Sequence, residues 1–254
     1  MADYFKYRYL TKIEFNLNDG DFLSIIGNSN DFFVDTLLNE SSETNVFVSD
    51  AELNKETINT IRKRLCVVLH KHLDIFLGET VKDELSFGLE SLSYTKDDMN
   101  ELIQSESRLF KIDHLLDRDP FSLGSSDKVK MKILSALIIK PKVLVLDNVL
   151  CELDYYDKLL VFDILHEYKK NGGIIINVTS DVEETLFSDR IIILHDNTVV
   201  CDGKTLSVLN EEKLLKRLGI GLPFIIELNK YLMDYGMIDK YYLTNEKLVG
   251  ALWK

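Results

Sequence analysis

The sequence has no apolar run approaching the ~20 residues needed to cross a bilayer, so any membrane role is expected to come through a partner. Its opening residues, MADYFKYRYL, lack the apolar core of a secretory signal. Cysteine is scarce: Cys66, Cys151 and Cys201 are odd in number, widely spaced and outside any metal-type cluster, which fits free thiols in a reducing cytoplasm rather than a disulfide framework. Positive charge is short as well. The 30 Lys and Arg are outnumbered by 42 Asp and Glu, and the net charge of −12 counts against nucleic acid or anionic lipid as a general partner. No Lys or Arg occurs anywhere from Ile13 through Asn54. Internal repeats, low-complexity tracts and linkers are also absent.

What is present is the balance of a soluble globular protein, 46% hydrophobic and 28% charged over 254 residues, enough for one large α/β domain or a core with an appendage. Short apolar segments alternate with longer helical patterns. Tyr9 to Leu17, Asp21 to Ile26, Cys66 to Leu69, Val143 to Leu146 and Ile174 to Val178 read as strands. Arg190 to Leu194 and Thr198 to Cys201 read as a hairpin around His195-Asp196-Asn197. Helices are expected from Val34, over Thr80 to Leu92 with Thr80 as N-cap, over Ser125 to Ile139, over Asp154 to Lys170, and from Glu211 onward with breaks at Gly219, Gly221 and Pro223. A strand ending in a glycine loop before a helix, and a later apolar strand ending in Asp, is the order of a P-loop nucleotide-binding domain.

Three stretches carry a family resemblance. Residues 76–91 (FLGETVKDELSFGLES), 135–154 (SALIIKPKVLVLDNVLCELD) and 188–204 (SDRIIILHDNTVVCDGK) resemble, in turn, the segment after the Q-loop, the Walker B strand with its D-loop, and the closing strands of energy-coupling-factor transporter ATPases, a type of ATP-binding-cassette (ABC) subunit. The tail, with Leu218-Gly-Ile-Gly-Leu-Pro-Phe and Leu243-Thr-Asn-Glu-Lys-Leu, is similar to the family's C-terminal extension. The resemblance implies an α/β P-loop NTPase fold of ABC type. Residues 1–218 would form the nucleotide-binding domain, roughly 78–138 its helical subdomain, and 219–254 a short C-terminal helical extension. It also implies ATP and Mg²⁺ as ligands. The expected partners are a second ABC ATPase and an integral membrane transport component, and the expected place is the cytoplasmic face of the cell membrane.

The chemistry of the family is nevertheless thin here. A P-loop, GxxxxGK[ST], cradles phosphate with backbone N–H groups, a lysine and a Mg²⁺-binding hydroxyl. Aligned without gaps, Gly27 keeps the first position and Asn30 lies in the loop, but Phe32, Phe33 and Val34 stand for the second glycine, the lysine and the hydroxyl. Losing a lysine about 4 Å from a phosphate removes roughly 4 kcal/mol at an effective dielectric near 20, about three orders of magnitude in affinity. Asp31 and Asp35 add charge of the wrong sign, and Phe32 and Phe33 are expected to fill the vacated space.

Asp147 ends the Walker B strand and is open to a metal-supporting or a buried hydrogen-bonding role. Asn148 replaces the general base, and an amide cannot take a proton near neutral pH. Leu123, Gly124, Ser125, Ser126 and Asp127 stand for the signature motif and read better as a helix cap than as a phosphate platform. His70 takes the Q-loop position and Ser180 the switch-histidine position. His70 and His72 have no Cys or carboxylate cluster beside them in sequence, which disfavours a metal there. Tyr7 or Tyr9 could stack on adenine or simply sit in a strand. His70, Glu79, Asp83 and Glu84 mark an expected coupling surface, the carboxylates being expected to be exposed toward basic helices of the membrane component.

The expected function is therefore a degenerate, non-hydrolysing ABC subunit of an importer complex, altered on both faces that compose an ATP site. Nucleotide binding is expected to be weak or absent. A soluble scaffold or regulator on the same fold, a weak nucleotide binder, and an ATPase with an unorthodox site stay open as alternatives.

Overall fold

The computed structural model describes residues 4–38, 44–49, 51–90, 92 and 94–253. In chain order the strands and α-helices are β1 (Phe5–Tyr9), β2 (Ile13–Leu17), β3 (Phe22–Gly27), α1 (Asn30–Leu38), β4 (Thr44–Val48), β5 (Ala51–Glu52), α2 (Ile58–Ile61), β6 (Leu65–Leu69), α3 (Val81–Glu90), α4 (Lys96–Leu109), α5 (Ser125–Leu137), β7 (Val143–Asp147), α6 (Tyr155–Lys170), β8 (Ile174–Val178), β9 (Arg190–His195), β10 (Thr198–Lys204), α7 (Thr205–Leu209), α8 (Glu212–Arg217), α9 (Phe224–Asp234) and α10 (Asn245–Leu252). Among the described residues no helix is long and apolar enough to cross a membrane.

Two sheets form. The smaller, β2-β1-β4-β5, is antiparallel, and the larger runs β10-β9-β3-β8-β7-β6 with only its β10–β9 pair antiparallel. The parallel strands read as continuous apolar runs because both of their faces are covered. In β7, Val143 and Val145 face the smaller sheet while Leu144 and Leu146 face α3, α5 and α6. In β9, Ile192 and Leu194 join the layer between the sheets, and Ile191 and Ile193 pack on the C-terminal helices through Leu209, Leu215 and Ile226.

The alternation from Tyr9 to Leu17 is not one strand. Lys12 N–H bonds to Tyr9 O at 3.1 Å, Leu10 takes a left-handed φ of 48°, and the chain reverses so that Tyr7 pairs with Phe15. The turn carries no glycine, proline or asparagine to announce it. The α3 expectation holds to Glu90, and residue 91 lies outside the described residues. Thr80 caps it reciprocally: its hydroxyl accepts from Asp83 N–H at 3.1 Å, and Asp83 accepts from Thr80 N–H at 3.1 Å. Likewise Asp154 caps α6 by accepting from Asp157 N–H at 2.9 Å.

Because β3, β6, β7 and β8 are parallel, their carboxyl ends emerge at one edge. Gly27, Leu69, Asp147 and Val178 meet there, the edge where open α/β sheets place their ligands.

Candidate functional site at the carboxyl edge of the parallel sheet

At Gly27 the backbone has φ +129°, and a Cβ there would stand 1.9 Å from Leu194 O. Glycine is therefore required by the approach of β9, whether or not a ligand binds. Only Asn28 and Ser29 separate β3 from α1, so little loop remains to wrap a phosphate chain. That turn is tied back to the β9–β10 hairpin. Asn28 N–H donates to Leu194 O (3.1 Å), Asn28 Oδ1 accepts from Asp196 N–H (3.0 Å), and Ser29 Oγ accepts from Asn197 N–H (2.9 Å). Asn30 begins α1 and donates through Nδ2 to Thr179 O at 2.9 Å, tying it to the end of β8.

Along α1 the buried face is Phe33, Val34 and Leu37, an i, i+1, i+4 pattern. Phe33 is fully buried, edge-on to Tyr7 at 4.8 Å between ring centres and 5.9 Å from Phe15. Phe32 packs edge-on against Tyr9 at 4.8 Å. Such aromatic pairs are worth about 0.5–1.5 kcal/mol each beyond their buried area. Tyr7 is itself fully buried, its phenol bonded to Thr36, and burial pushes its pKa up to about 12; it has no face free for a base. Phe33 and Val34, expected in place of the P-loop lysine and hydroxyl, thus belong to the core.

Between α1 and the ends of β7 and β8 lies an open pocket of about 190 Å³, lined by Gly27, Asn30, Asp31, Asp147, Asn148 and Ser180 among others. It falls below the roughly 300–1,000 Å³ of ordinary small-ligand pockets. Its charges are carboxylates, with no lysine or arginine in the lining. Burial raises the Asp147 pKa, the Asp31 and Asp35 carboxylates push the same way, and Lys71 and His70 oppose them. Lys71 is itself drawn to Asp35, 3.7 Å away. Asn148 sits at φ +52° and its side-chain oxygen accepts from Ser180 N–H (3.3 Å) and Ser180 Oγ (3.0 Å). The residues expected at the general-base and switch-histidine positions are thus joined as an amide–hydroxyl pair, and the amide is no base near neutral pH. ATP with Mg²⁺ does not fit this donor set: the lysine and hydroxyl positions are buried apolar side chains, and the remaining charges repel phosphate.

The signature-like stretch is also engaged internally. The serines do not cap α5, contrary to expectation. Its N-cap is Gly124, without a side-chain bond, while Leu123 is buried. Ser126 Oγ donates instead to Asp157 Oδ2 at 2.6 Å. Lys130, buried beneath, bridges Asp127 (2.9 Å) and Asp157 (2.8 Å). Burial opposes ionisation of Asp157, but the bonds from Lys130 and Ser126 hold its pKa below the usual carboxylate range. Ser125 remains at the first turn of α5 with no such partner in this network.

On the expected coupling surface Glu79, His70 and Asp83 are exposed, Asp83 also serving the α3 cap. Glu84 corrects the expectation of exposure. It is 7% exposed, its carboxylate receiving N–H bonds from Leu77 (2.8 Å) and Gly78 (3.0 Å) and an ion pair from Lys132 (2.8 Å). It therefore cannot meet a partner helix. His70 Nε2 lies 3.0 Å from Glu152 Oε1, and Cys151 Sγ stands with them, all three ligand atoms within 4.8 Å of one another. Eighty residues of sequence hid that neighbourhood. Also unread in the sequence is a buried pair after β8: Glu184, 1% exposed, bonded by Lys158 (3.0 Å) and Asn177 Nδ2 (3.1 Å). Nothing in the sequence spacing announces either grouping.

No protein-family model matches the chain. Among curated proteins it is 27% identical to the energy-coupling factor transporter ATP-binding protein EcfA1 of Mycoplasma mobile, covering 98% of this chain and 94% of that protein. It is 29% identical to the EcfA1 protein of Halalkalibacterium halodurans, covering 96% and 91%, and 26% identical to that of Bacillus subtilis, covering 97% and 90%. Among solved structures, cbiO1 from Clostridium perfringens, described as part of the ABC transporter complex cbiONQ, superposes with a TM-score of 0.72 at 21% identity, covering 90% of this chain and all of that one. The ATP-binding cassette MJ0796, solved as a post-hydrolysis dimer with ADP and phosphate, gives 0.70 at 20% identity, covering 79% and 98%. These two likenesses establish the ABC ATPase fold.

Proposed function

For a chain that is a homologue of the energy-coupling factor transporter ATP-binding proteins and has the ABC ATPase fold, we propose the role of a non-hydrolysing subunit in an importer-type membrane complex. The observation that carries this reading is Phe33. At the position of the phosphate-binding lysine it is a fully buried member of the core, and the Asn148–Ser180 pair occupies the place of the proton-handling groups.

In this reading residues 1–218 are the nucleotide-binding-domain equivalent, with 78–138 as its helical subdomain and 219–254 as the C-terminal extension. The chain sits at the cytoplasmic face of the membrane beside an intact ABC ATPase and an integral membrane component. Because the phosphate-loop face and the signature face are both altered, the chain impairs both composite ATP sites of such a pair. Dimer contact without bridging nucleotide falls to the C-terminal helices, where Phe224, Tyr235 and Trp253 are exposed. Glu79 and Asp83 supply the exposed carboxylates for a basic coupling helix.

Affinity purification of the protein from its own cells in mild detergent tests the role. Recovery of an integral membrane protein with an intact ABC ATPase supports it. Recovery of soluble proteins alone supports a scaffold that has left the transporter. Vigorous ATP turnover by the heterodimer, lost on changing Ser125 or Ser126, would overturn the claim about both sites.

A further inference from the structure

We propose that His70, Cys151 and Glu152 form a binding site for a thiophilic divalent cation of the zinc class. The fold builds the site. Pairing of Leu69 with Asp147 brings the ends of β6 and β7 side by side, and each strand is followed by a tight 3₁₀ turn, His70–His72 and Leu150–Glu152. One turn presents an imidazole and the other a thiol and a carboxylate. Imidazole, thiolate and carboxylate are the three donor types that zinc takes, and the thiolate discriminates against Mg²⁺ and Ca²⁺.

The geometry requires little movement. Zinc bonds of about 2.0–2.3 Å in a tetrahedron set ligand atoms roughly 3.3–3.7 Å apart. His70 Nε2 and Glu152 Oε1 are already 3.0 Å apart, and none of the three atoms is more than 4.8 Å from another. His70 and Cys151 are exposed and Glu152 is half-buried, so a cation reaches the site from solvent and a water takes the fourth position. In the absence of metal, Cys151 Sγ–H donates to Asn148 O at 2.9 Å and His70 shares a hydrogen bond with Glu152. Binding replaces both bonds: the thiol proton leaves to solvent, the Nε2 proton that bridged to Glu152 is given up while Nδ1 takes one from solvent, and thiolate, Nε2 and carboxylate each give an electron pair to the cation, one proton being released in all. Two bound anions then offset its double charge. Metal would join the loop at the Q-loop-like position to the loop after the Walker B-like strand. It would do so without phosphate, Asp31 or the P-loop turn, so the site stands apart from the question of nucleotide.

The test uses the full chain stripped with chelator. Zinc is titrated against a chromophoric competitor, and cobalt(II) serves as a spectroscopic probe. Expected are one equivalent bound, one proton released per metal near neutral pH, and a near-ultraviolet thiolate-to-cobalt charge-transfer band. Cys151→Ser should abolish the band and weaken zinc by about 100-fold or more, at least the effect of losing a group that merely supports a metal ligand. Cys66→Ser and Cys201→Ser should leave both unchanged. His70→Ala and Glu152→Gln should each weaken zinc comparably, with far-UV circular dichroism showing each variant folded. A band that survives Cys151→Ser, zinc binding unaffected by His70→Ala and Glu152→Gln, or no micromolar zinc binding at all would overturn the proposal.

Discussion

Replacing Phe33 by lysine supplies the residue type that a phosphate loop uses, and on this fold it should cost stability without restoring nucleotide binding. Phe33 is fully buried among Tyr7, Phe15 and the rest of the layer between the two sheets. Truncating such a ring to alanine costs about 3–5 kcal/mol through lost burial and the cavity left behind. Lysine keeps some of the volume but must either carry an unpaired ammonium into the cluster, at several kcal/mol, or drag its stem out of it. Against a typical stability of about 5–15 kcal/mol, Phe33→Lys should be at least as destabilised as Phe33→Ala. The side chain at residue 33 points from α1 into the core, and the turn before it is held to the β9–β10 hairpin. A new ammonium would therefore not reach a phosphate. Urea unfolding followed by circular dichroism gives the stabilities, and titration with a fluorescent ATP analogue gives the affinity. A Phe33→Lys protein within about 1 kcal/mol of the parent that also gains ATP affinity would refute the placement of this side chain and, with it, the reading of the site.

Asn148 holds a left-handed backbone that costs roughly 1–2 kcal/mol for ordinary L-residues, so Asn148→Val should be less stable than Asn148→Gly by about that amount in thermal or urea unfolding. Lys158→Met should destabilise by about 3–5 kcal/mol, because it leaves the buried Glu184 carboxylate without its cation; Lys158→Met/Glu184→Gln should recover part of the loss. Burial alone would raise the Glu84 pKa, but Lys132 and two backbone N–H groups hold it below its ordinary 4.5. A carboxyl depressed on folding contributes stability above its unfolded pKa and loses it as pH falls through the folded value. Unfolding free energy should therefore decline below about pH 4.5, less steeply in Glu84→Gln, which should also be the weaker protein at pH 7.

The parallel sheet was legible because strands covered on both faces, such as Val143–Asp147 and Ile174–Val178, must be apolar at nearly every position. The hairpin at Leu10 was not: its left-handed residue is a leucine, and the apolar alternation runs on through the turn. Helix α4, Lys96–Leu109, was not legible either, although Met99, Leu102 and Ile103 share its core-facing side, because only Ile103 and Ser107 are fully buried and most of its other residues are polar or charged. At the site, the replacements at Phe33 and Asn148 could be read position by position. Their new partners could not, because those are long-range: Asn148 meets Ser180, Glu84 meets Lys132, and His70 meets Glu152 across 82 residues. Glu84 shows why exposure cannot be read from residue type. A carboxylate is buried when, as here, one cation and two N–H groups converge on it.

Losing a ligand-binding group ordinarily leaves its former neighbours unpaired, and each buried polar group so stranded costs about 1–3 kcal/mol. At this sheet edge several of the substituted positions have partners inside the chain, while Asn30 Oδ1 is buried without one. Asn148 bonds Ser180, Ser126 bonds Asp157 over a buried Lys130, and Phe33 packs on Tyr7. Ligand at 1,000 times its Kd stabilises a folded protein by about 4 kcal/mol. Burial of Phe33, worth about 3–5 kcal/mol by the cost of removing such a ring, is a stabilisation of the same size obtained without ligand. In the proposed role, internal partners of this kind would let the fold stand without nucleotide, which is the property a subunit needs if its place in a complex is to persist through the ATP cycle of its neighbour.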